Sequence, residues 1–281
     1  MDYNEIIENN GSTTITGLKC FSLPLILDCG QAFRWTESEG IWRGVAMGKE
    51  LRLKQENDEL IFFDTSKQEV ENIWLDYFDL KRDYTAICKK LCEDESLKKA
   101  CECYAGIRVL KQDEWETLVS FIISANNNIP RIKGIIERLC ETFGEKLPTG
   151  GYTFPTAEVL SKLSVEDLAP LRAGFRSKYI IDAAQKVASG EVNLQELKAK
   201  SSDEIREGLM RIKGVGVKVA ECTLLFGFGD VDAFPIDVWV RRLVGELYPN
   251  GLPECMKGVS GIAQQYLFHW RRNLEASESV K

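Results

Sequence analysis

The stretch DEIREGLMRIKGVGVKVAECTLLFGFGDVDAFPIDVWVRRLV, residues 203–244, decides the fold because it predicts two helices joined by a glycine turn. Gly214 and Gly216 flank a valine between the two helices. Glycine permits a tight turn with positive φ, and it keeps side chains away from the first N–H groups of the next helix. Such N–H groups can bind a phosphate, so the pattern indicates a helix-hairpin-helix that holds a nucleic-acid backbone. Taken alone, Gly-Val-Gly fits a plain connection between two helices better.

Two residues of this stretch favour the first interpretation. Lys218 lies in the first turn of the apolar second helix, where the helix dipole disfavours a cation, so a partly buried amine there is a candidate nucleophile. The ordinary alternative is a surface lysine that reaches water. Asp237 precedes the predicted helix VWVRRLV and is a predicted N-cap, a role that by itself needs no chemistry. Its fixed carboxylate can also offset positive charge that develops at a sugar carbon.

The rest of the chain predicts an α+β fold. Short β-prone segments separated by turns occupy residues 32–35, 41–47, 50–55 and 59–64, and helical periodicity begins near residue 66. We predict an N-terminal domain, 1–105, whose antiparallel β-sheet packs on an all-helical domain, 106–281. The second domain contains the helix-hairpin-helix 203–228 and an aspartate loop 229–240, and the active-site cleft lies between helical parts.

Composition limits the function classes. The 281 residues hold 36 Lys+Arg and 43 Asp+Glu, and the net charge of −7 argues against a protein that passively coats DNA. Residues 1–110 carry a net charge of −6 and residues 111–281 only −1, so a DNA-facing surface is expected in the second part. There is no apolar run of about 18 residues that would span a membrane, and the polar N-terminus is not typical of a signal or transit peptide.

The cysteines and the single histidine bear on metal binding. Nine cysteines without an export signal indicate reduced thiols in a cytosolic protein. Cys88, Cys92, Cys101 and Cys103 are close in sequence, but they lack the C-x2-C spacing of most zinc sites, so we expect no metal there. His269 is the only histidine, which excludes a two-histidine metal site.

GVGVKVAEC followed by AFPIDVWV resembles the HhH-GPD superfamily of DNA base-excision glycosylases, whose bifunctional members carry a lysine at this point of the hairpin. Over about residues 20–272 the chain more closely resembles the 8-oxoguanine DNA glycosylases. The segments that carry this resemblance are LILDCGQAFRW, FIISANNNIPRIKGIIERLCETFG, LRAGFRSKYI and AQQYLF. The resemblance implies that Lys218 forms a Schiff base while the oxidised base is excised, that β-elimination then nicks the strand, and that Asp237 is the catalytic aspartate.

The resemblance also implies a pocket for the flipped base. The Gly30 carbonyl corresponds to the acceptor of the N7–H that guanine lacks; unpaired acceptors facing each other would cost about 1–3 kcal/mol. Cys222 and Phe268 correspond to residues on the two faces of the base, and Gln264 to the amide that reads its Watson–Crick edge. Pro235 completes the implied pocket. Gly30 would otherwise be interpreted as a turn glycine, and Cys222 and Phe268 as core residues.

The implied DNA contacts lie in three places. Asn126 corresponds to the residue that fills the hole left by the flipped base, and Phe175 to the wedge that kinks the duplex. Arg131 and Arg176 correspond to the arginines that read the estranged cytosine. The implied contacts of the hairpin with the backbone are Gly214, Gly216 and Val219.

Two residues depart from the family pattern, because Trp239 stands where a phosphate-contacting histidine is expected and Arg271 where its acidic partner is expected. The cysteine array of an iron–sulfur cluster is absent, so we expect no cofactor beyond a possible structural cation at the hairpin. The expected partner of a monomeric enzyme is double-stranded DNA with oxidised guanine, opposite cytosine, in the nucleoid or the nucleus. The alternatives are an HhH-GPD glycosylase for another damaged base and a non-catalytic DNA-binding module.

Overall fold

The computed structural model describes residues 1–278, so residues 279–281 of the predicted second domain lie outside the described residues. Within that range an antiparallel sheet comes first and helices follow, which confirms the predicted α+β class. The sheet has the strand order β1-β2-β6-β5-β4-β3. Its strands are β1 (Glu5–Asn9), β2 (Ser12–Thr16), β3 (Trp35–Ser38), β4 (Ile41–Ala46), β5 (Lys49–Glu56) and β6 (Glu59–Phe63).

Two features of the sheet differ from the sequence-based expectation. The β1–β2 hairpin was not predicted, although its turn, Asn10-Gly11, has positive φ at both residues (49° and 78°) and is a strong hairpin signal. The strand predicted at 32–35 begins only at Trp35. The reason is that Phe33 leaves the sheet and packs edge-on against Phe121 of the helical part, with ring centroids 5.9 Å apart.

Helices make up most of the remaining chain. The α-helices are α1 (Leu23–Leu27), α2 (Lys67–Glu69), α3 (Leu75–Tyr77), α4 (Tyr84–Leu91), α5 (Glu95–Cys103), α6 (Glu114–Ser124), α7 (Ile129–Phe143), α8 (Ala157–Leu160), α9 (Ser177–Ala188), α10 (Leu194–Leu197), α11 (Ser202–Met210), α12 (Val217–Thr223), α13 (Val238–Leu247) and α14 (Ser260–Glu278). Shorter 3-10 and π-helical turns are Val70–Trp74, Glu166–Leu171, Gly174–Arg176, Leu224–Phe228 and Glu254–Met256.

Local sequence signals account for the ends of several helices. A capping box lies at the start of α11, since Ser201 and Glu204 each accept a hydrogen bond from the other's backbone N–H. Helix α7 has Pro130 in its first turn and Gly144 as its C-cap, the usual placement of these two residue types. These signals set the ends of α7 and the beginning of α11, the first helix of the hairpin.

Buried apolar residues form two clusters. One lies beneath the sheet and includes Trp35, Phe62 and Trp74. The other fills the helical part and also takes in residues of α4 and α5, although both helices precede residue 105. Helix α5 packs on α14, so helices from the first hundred residues help to hold the last one. The domain division at 105/106 stays a prediction.

A buried ion pair ties the beginning of the chain to the junction between the sheet and the helices. The Arg108 guanidinium lies 2.6 Å from the Asp2 carboxylate, with side-chain exposures of 0% and 3%. Arg108 also donates to the backbone carbonyls of Lys19, Cys20 and Asp79. Because both charges are buried, removal of one partner leaves the other uncompensated.

Candidate active site

The sequence-predicted base pocket is one cavity in the structure. The cavity is lined by Cys29, Gly30, Phe121, Lys218, Cys222, Phe226, Pro235, Asp237, Gln264, Gln265 and Phe268. All five predicted pocket residues and both predicted catalytic residues are among them. The cavity therefore brings together five separate parts of the sequence: the turn after α1, helices α6 and α12, the loop before α13, and α14.

Lys218 points its amine into this cavity from the first turn of α12. Its Nζ lies 3.4 Å from the Oγ of Ser124 and 5.0 Å from the centroid of the Phe121 ring. The Ser124 hydroxyl donates to the Phe121 carbonyl at 2.8 Å, so its oxygen lone pairs remain to accept from the lysine. An amine that is half-buried, oriented by one hydroxyl and open to the cavity has the setting of a nucleophile.

Asp237 is the N-cap of α13, as predicted. Its Oδ1 accepts a hydrogen bond from the Val240 N–H at 2.8 Å. A negative charge at a helix N-terminus interacts favourably with the helix dipole. The cap also fixes the side-chain direction, so a negative charge is held at the rim of the cavity that contains Lys218.

Gly30 has φ of +89°, a left-handed conformation that favours glycine. A Cβ at this position would lie 3.3 Å from the Cδ1 of Ile129, so the turn is also tightly packed. Four residues later, Arg34 pairs with Glu116 of α6 at 3.2 Å. This pair connects the segment that carries Gly30 to the helix that carries Phe121.

The remaining pocket residues are held by packing and by one amide contact. Cys222 is 3% exposed, and burial raises the pKa of its thiol to about 11 against the opposing effect of Lys218, so the thiol stays neutral near pH 7. The Gln265 amide donates to the Gln264 side-chain oxygen at 2.6 Å and so orients the Gln264 amide. Phe268, also on α14, is partly exposed at the cavity.

Sequence reasoning missed four residues of the lining. Phe121 and Phe226 stack with ring centroids 5.4 Å apart and planes 13° apart, and they form an aromatic wall. Both lie in continuous apolar segments, which indicate burial but do not separate a pocket wall from core. Cys29 and Gln265 are neighbours of the predicted Gly30 and Gln264, and only the direction of their side chains, which the sequence does not show, places them in the cavity.

The two hairpin glycines have different roles. Gly214 has φ of +83°, and a Cβ there would meet the Tyr179 ring at 2.4 Å. Gly216 is the extended N-cap of α12 and faces open space. Val219 is 5% exposed, so its side chain belongs to the core, and its predicted DNA contact falls to the backbone N–H in the first turn.

The predicted contacts with the orphan base lie around the turn after α6. Asn126 is exposed with φ of +51°, and Phe175 is 51% exposed. Arg176 is only 2% exposed, and its guanidinium donates to the carbonyls of Ala125 and Asn126. It therefore stabilises this turn from the protein interior. Arg131 is exposed. The roles of these residues toward DNA stay predictions.

Comparison with known proteins adds the family. Residues 15–118 match the family model of the 8-oxoguanine DNA glycosylase N-terminal domain, and residues 119–253 match that of the HhH-GPD superfamily of base excision DNA repair proteins. The chain belongs to the 8-oxoguanine DNA glycosylase family of this superfamily. The N-glycosylase/DNA lyase of Saccharomyces cerevisiae is 33% identical over 79% of the chain and 67% of that protein. The chain spans about two thirds of the length of the curated relatives that it matches.

Two solved structures of the family are similar over almost the whole chain. MBOgg1 in complex with a low-affinity DNA ligand is 45% identical, with a TM-score of 0.93 over 98% of this chain and 100% of that one. The 8-oxoguanine glycosylase/lyase of Clostridium acetobutylicum was solved with double-stranded DNA containing cytosine opposite 8-oxoguanine. It is 38% identical, with a TM-score of 0.92 and coverage of 98% and 100%.

The two departures from the family pattern are visible in the structure. Trp239 lies in the first turn of α13 with 51% of its surface exposed. Arg271 of α14 forms an ion pair with Glu246 of α13 at 2.9 Å. An exposed aromatic side chain, Trp239, thus occupies the position of the expected histidine. A cation, Arg271, occupies the position of its expected acidic partner and forms an ion pair with α13.

Among residues 1–272, no three or more histidine, cysteine, aspartate or glutamate side chains are arranged to hold a metal ion. Within the same residues, no helix has both the length and the apolarity that crossing a bilayer requires.

Proposed function

We propose that the chain is a bifunctional DNA glycosylase that excises 8-oxoguanine from duplex DNA and then nicks the strand by β-elimination. One observation carries the proposal: the Lys218 amine and the Asp237 carboxylate line the same cavity as Gly30 and Gln264. A nucleophile, a fixed negative charge and polar groups that read a base are the parts that such chemistry needs.

In the first step the neutral Lys218 amine attacks C1′ of the damaged nucleotide. The C1′–N9 bond breaks, its electron pair leaves with the base, and the base takes up a proton. Positive charge develops at C1′ as this bond breaks, and the ionised Asp237 stabilises it. Loss of a proton from the amine and opening of the sugar ring at O4′ then give the Schiff base.

The Schiff base permits the second step. It acidifies the C2′ protons, and removal of one of them expels the 3′ phosphate as the leaving group. The strand is therefore cut 3′ to the lesion, and hydrolysis of the imine releases Lys218 for another turnover. The residues that carry out this sequence are a lysine and an aspartate, so no cofactor and no histidine are required. A cation at the hairpin carbonyls would have a structural role.

Recognition of the base rests on the backbone. 8-Oxoguanine carries an N7–H donor where guanine has an acceptor, and the proposed partner is the carbonyl of Gly30. Guanine in the same position would leave two acceptors facing each other, at a cost of about 1–3 kcal/mol, or roughly 5- to 150-fold in binding. Gln264, oriented by Gln265, reads the Watson–Crick edge.

The proposed substrate is a duplex in which cytosine lies opposite the lesion, bound by one copy of the chain. Asn126 fills the space of the flipped base and Phe175 wedges the stack, while Arg131 and Arg176 face the orphan cytosine. The acidic first 110 residues keep non-specific binding weak and sensitive to salt. The protein works where the genome is, in the nucleoid of a bacterium or archaeon or in a eukaryotic nucleus.

The proposal is tested with end-labelled duplexes that contain 8-oxoguanine, an alkylated purine or undamaged guanine. We expect strand cleavage only with 8-oxoguanine, and a covalent adduct when borohydride is present. Lys218→Gln is expected to abolish the adduct while the protein still binds DNA. Excision of the alkylated base instead would identify a different glycosylase, and binding without cleavage of any duplex would identify a non-catalytic module.

A further inference from the structure

A buried carboxylate lies three residues after Lys218 on the same helix and has no part in the mechanism above. The Glu221 side chain is 8% exposed. One of its oxygens accepts from the Nε of Arg206 on α11 at 2.5 Å, and the other accepts from the backbone N–H of Phe234 at 2.8 Å. A charge buried to this degree is costly unless it is paired and hydrogen-bonded, so both contacts hold Glu221 in place.

The Phe234 N–H belongs to the segment that leads into Asp237. Pro235 follows directly and restricts the backbone, and Asp237 is only three residues further along. The beginning of the segment is fixed separately, because Asp230 bonds to Ser202 and Asp232 accepts from the N–H groups at the start of α14. Glu221 holds the part of this loop nearer to Asp237, through the N–H of Phe234.

We infer that Glu221 is a positioning residue that sets the separation between Lys218 and Asp237. This inference rests on the proposed function. Both catalytic groups must act on the same sugar carbon, and Lys218 and Glu221 share one rigid helix. The contact of Glu221 with Phe234 therefore transmits the position of α12 to the loop that ends at Asp237. A misplacement of about 1 Å at a reacting centre can cost on the order of 100-fold in rate.

The variants Glu221→Ala and Glu221→Gln distinguish the effect of losing the hydrogen-bond acceptor for Phe234 from the effect of losing the negative charge. Glu221→Ala removes the acceptor of the Phe234 N–H, and a fall of about 10- to 100-fold in the single-turnover excision rate is expected from the displaced aspartate. Glu221→Gln keeps an amide oxygen for Phe234 and should recover most of that loss. The dissociation constant for lesion-containing DNA should stay within about twofold of the wild type, because Glu221 lies beyond the glycine turn and the first turn of α12, whose N–H groups are the proposed phosphate contacts.

A double-mutant cycle with Asp237→Asn distinguishes positioning from general damage. If Glu221 acts through Asp237, Glu221→Ala should cost much less in the Asp237→Asn background than in the wild type. Equal losses in both backgrounds would overturn the inference, as would a wild-type rate for Glu221→Ala. The matched control is Asp2→Asn, which disturbs a buried Arg–carboxylate pair outside the cavity and should leave the excision rate unchanged.

A measurement that needs no substrate keeps the test independent of the proposed function. Hydrogen exchange of the peptide covering residues 229–240 should be faster in Glu221→Ala than in the wild type and intermediate in Glu221→Gln. Unchanged exchange in both variants would overturn the inference whether or not the protein cleaves DNA. A wild-type protein that fails to excise 8-oxoguanine would instead overturn the proposed function.

Discussion

The Lys218 amine lies 3.4 Å from the hydroxyl of Ser124, the last residue of helix α6, which comes from a different part of the chain. The same hydroxyl donates to the Phe121 carbonyl within α6, so its orientation does not depend on the lysine. The nucleophile is therefore aimed by a neighbouring helix, and the immediate sequence around Lys218 does not reveal this.

Ser124→Ala should slow the chemical step without weakening DNA binding. The loss of one oriented hydrogen bond is worth about 1 kcal/mol, or roughly a fivefold fall in the single-turnover excision rate. Ser124→Thr, which keeps the hydroxyl, is the matched control. The measurement is excision of 8-oxoguanine under enzyme excess, with binding followed by fluorescence anisotropy. A wild-type rate for Ser124→Ala would show that the hydroxyl does not orient the amine.

The two hairpin glycines should respond differently to alanine. Gly214→Ala places a Cβ into the Tyr179 ring at a residue with φ of +83°, so a loss of about 1–3 kcal/mol in unfolding free energy is expected. Gly216→Ala meets open space in an extended conformation, so stability should be nearly unchanged. If the hairpin binds phosphate closely, Gly216→Ala should still weaken DNA binding. Urea unfolding and binding titrations measure the two effects, and equal destabilisation by both substitutions would contradict the structure.

Substitution of the two arginines near the turn after α6 should also have different effects. Arg131→Ala removes an exposed cation, and we expect it to reduce the preference for cytosine opposite the lesion without lowering the melting temperature. Arg176→Ala removes the donors that hold the carbonyls of Ala125 and Asn126, so it should lower the melting temperature as well as the excision rate. The measurements are the excision rate of 8-oxoguanine placed opposite each of the four bases and the melting temperature of each variant. An unchanged opposite-base preference in Arg131→Ala would show that Arg131 takes no part in recognising the opposite base.

Glu116 should make stability depend on pH. Burial raises the pKa of its carboxyl from 4.5 to about 7, although Arg34 lies beside it. Between these values the folded protein binds a proton that the unfolded chain has released. The unfolding free energy should therefore fall as pH rises from 4.5 to about 7, by on the order of 3 kcal/mol at most, and level off above.

The variant Glu116→Gln cannot titrate and should remove this part of the pH dependence. Urea denaturation at several pH values between 5 and 8 is the measurement. Glu137→Gln, which changes an exposed carboxylate on α7, serves as the control and should leave the wild-type slope in place. A Glu116→Gln profile parallel to that of the wild type would show that Glu116 does not cause the slope.

Much of the site could be predicted because its residues lie in short motifs. The glycine turn, the lysine after it and the N-cap aspartate each have a local signal, and the structure brings Lys218 and Asp237 to one cavity. Gly30, Gln264 and Phe268 came from the family resemblance, since a turn glycine and residues of an apolar helix carry no separate signal of their own.

The missed features have two physical causes. The β1–β2 hairpin is the exception, because it has a local signal: Asn10 and Gly11 both have positive φ, as a two-residue hairpin turn requires. The burial of Arg176 and the contacts of Glu221 depend on groups far away in sequence, and periodicity gives no information on them. The strand predicted at 32–35 is wrong because a contact with the helical part outweighs the local β preference of Phe33.

The packing of α5 against α14 limits how the chain can be divided. Helix α14 carries Gln264 and Phe268, and it rests on a helix that comes before residue 105. A fragment that starts at residue 106 would retain Lys218 and Asp237, yet one wall of its base pocket would lose its support. Splitting the gene between residues 105 and 106 should therefore yield halves that regain excision only when they are mixed. The complete pocket therefore needs the first hundred residues, which supply Gly30 and the helix that supports α14, as well as the helical part that carries Lys218 and Asp237.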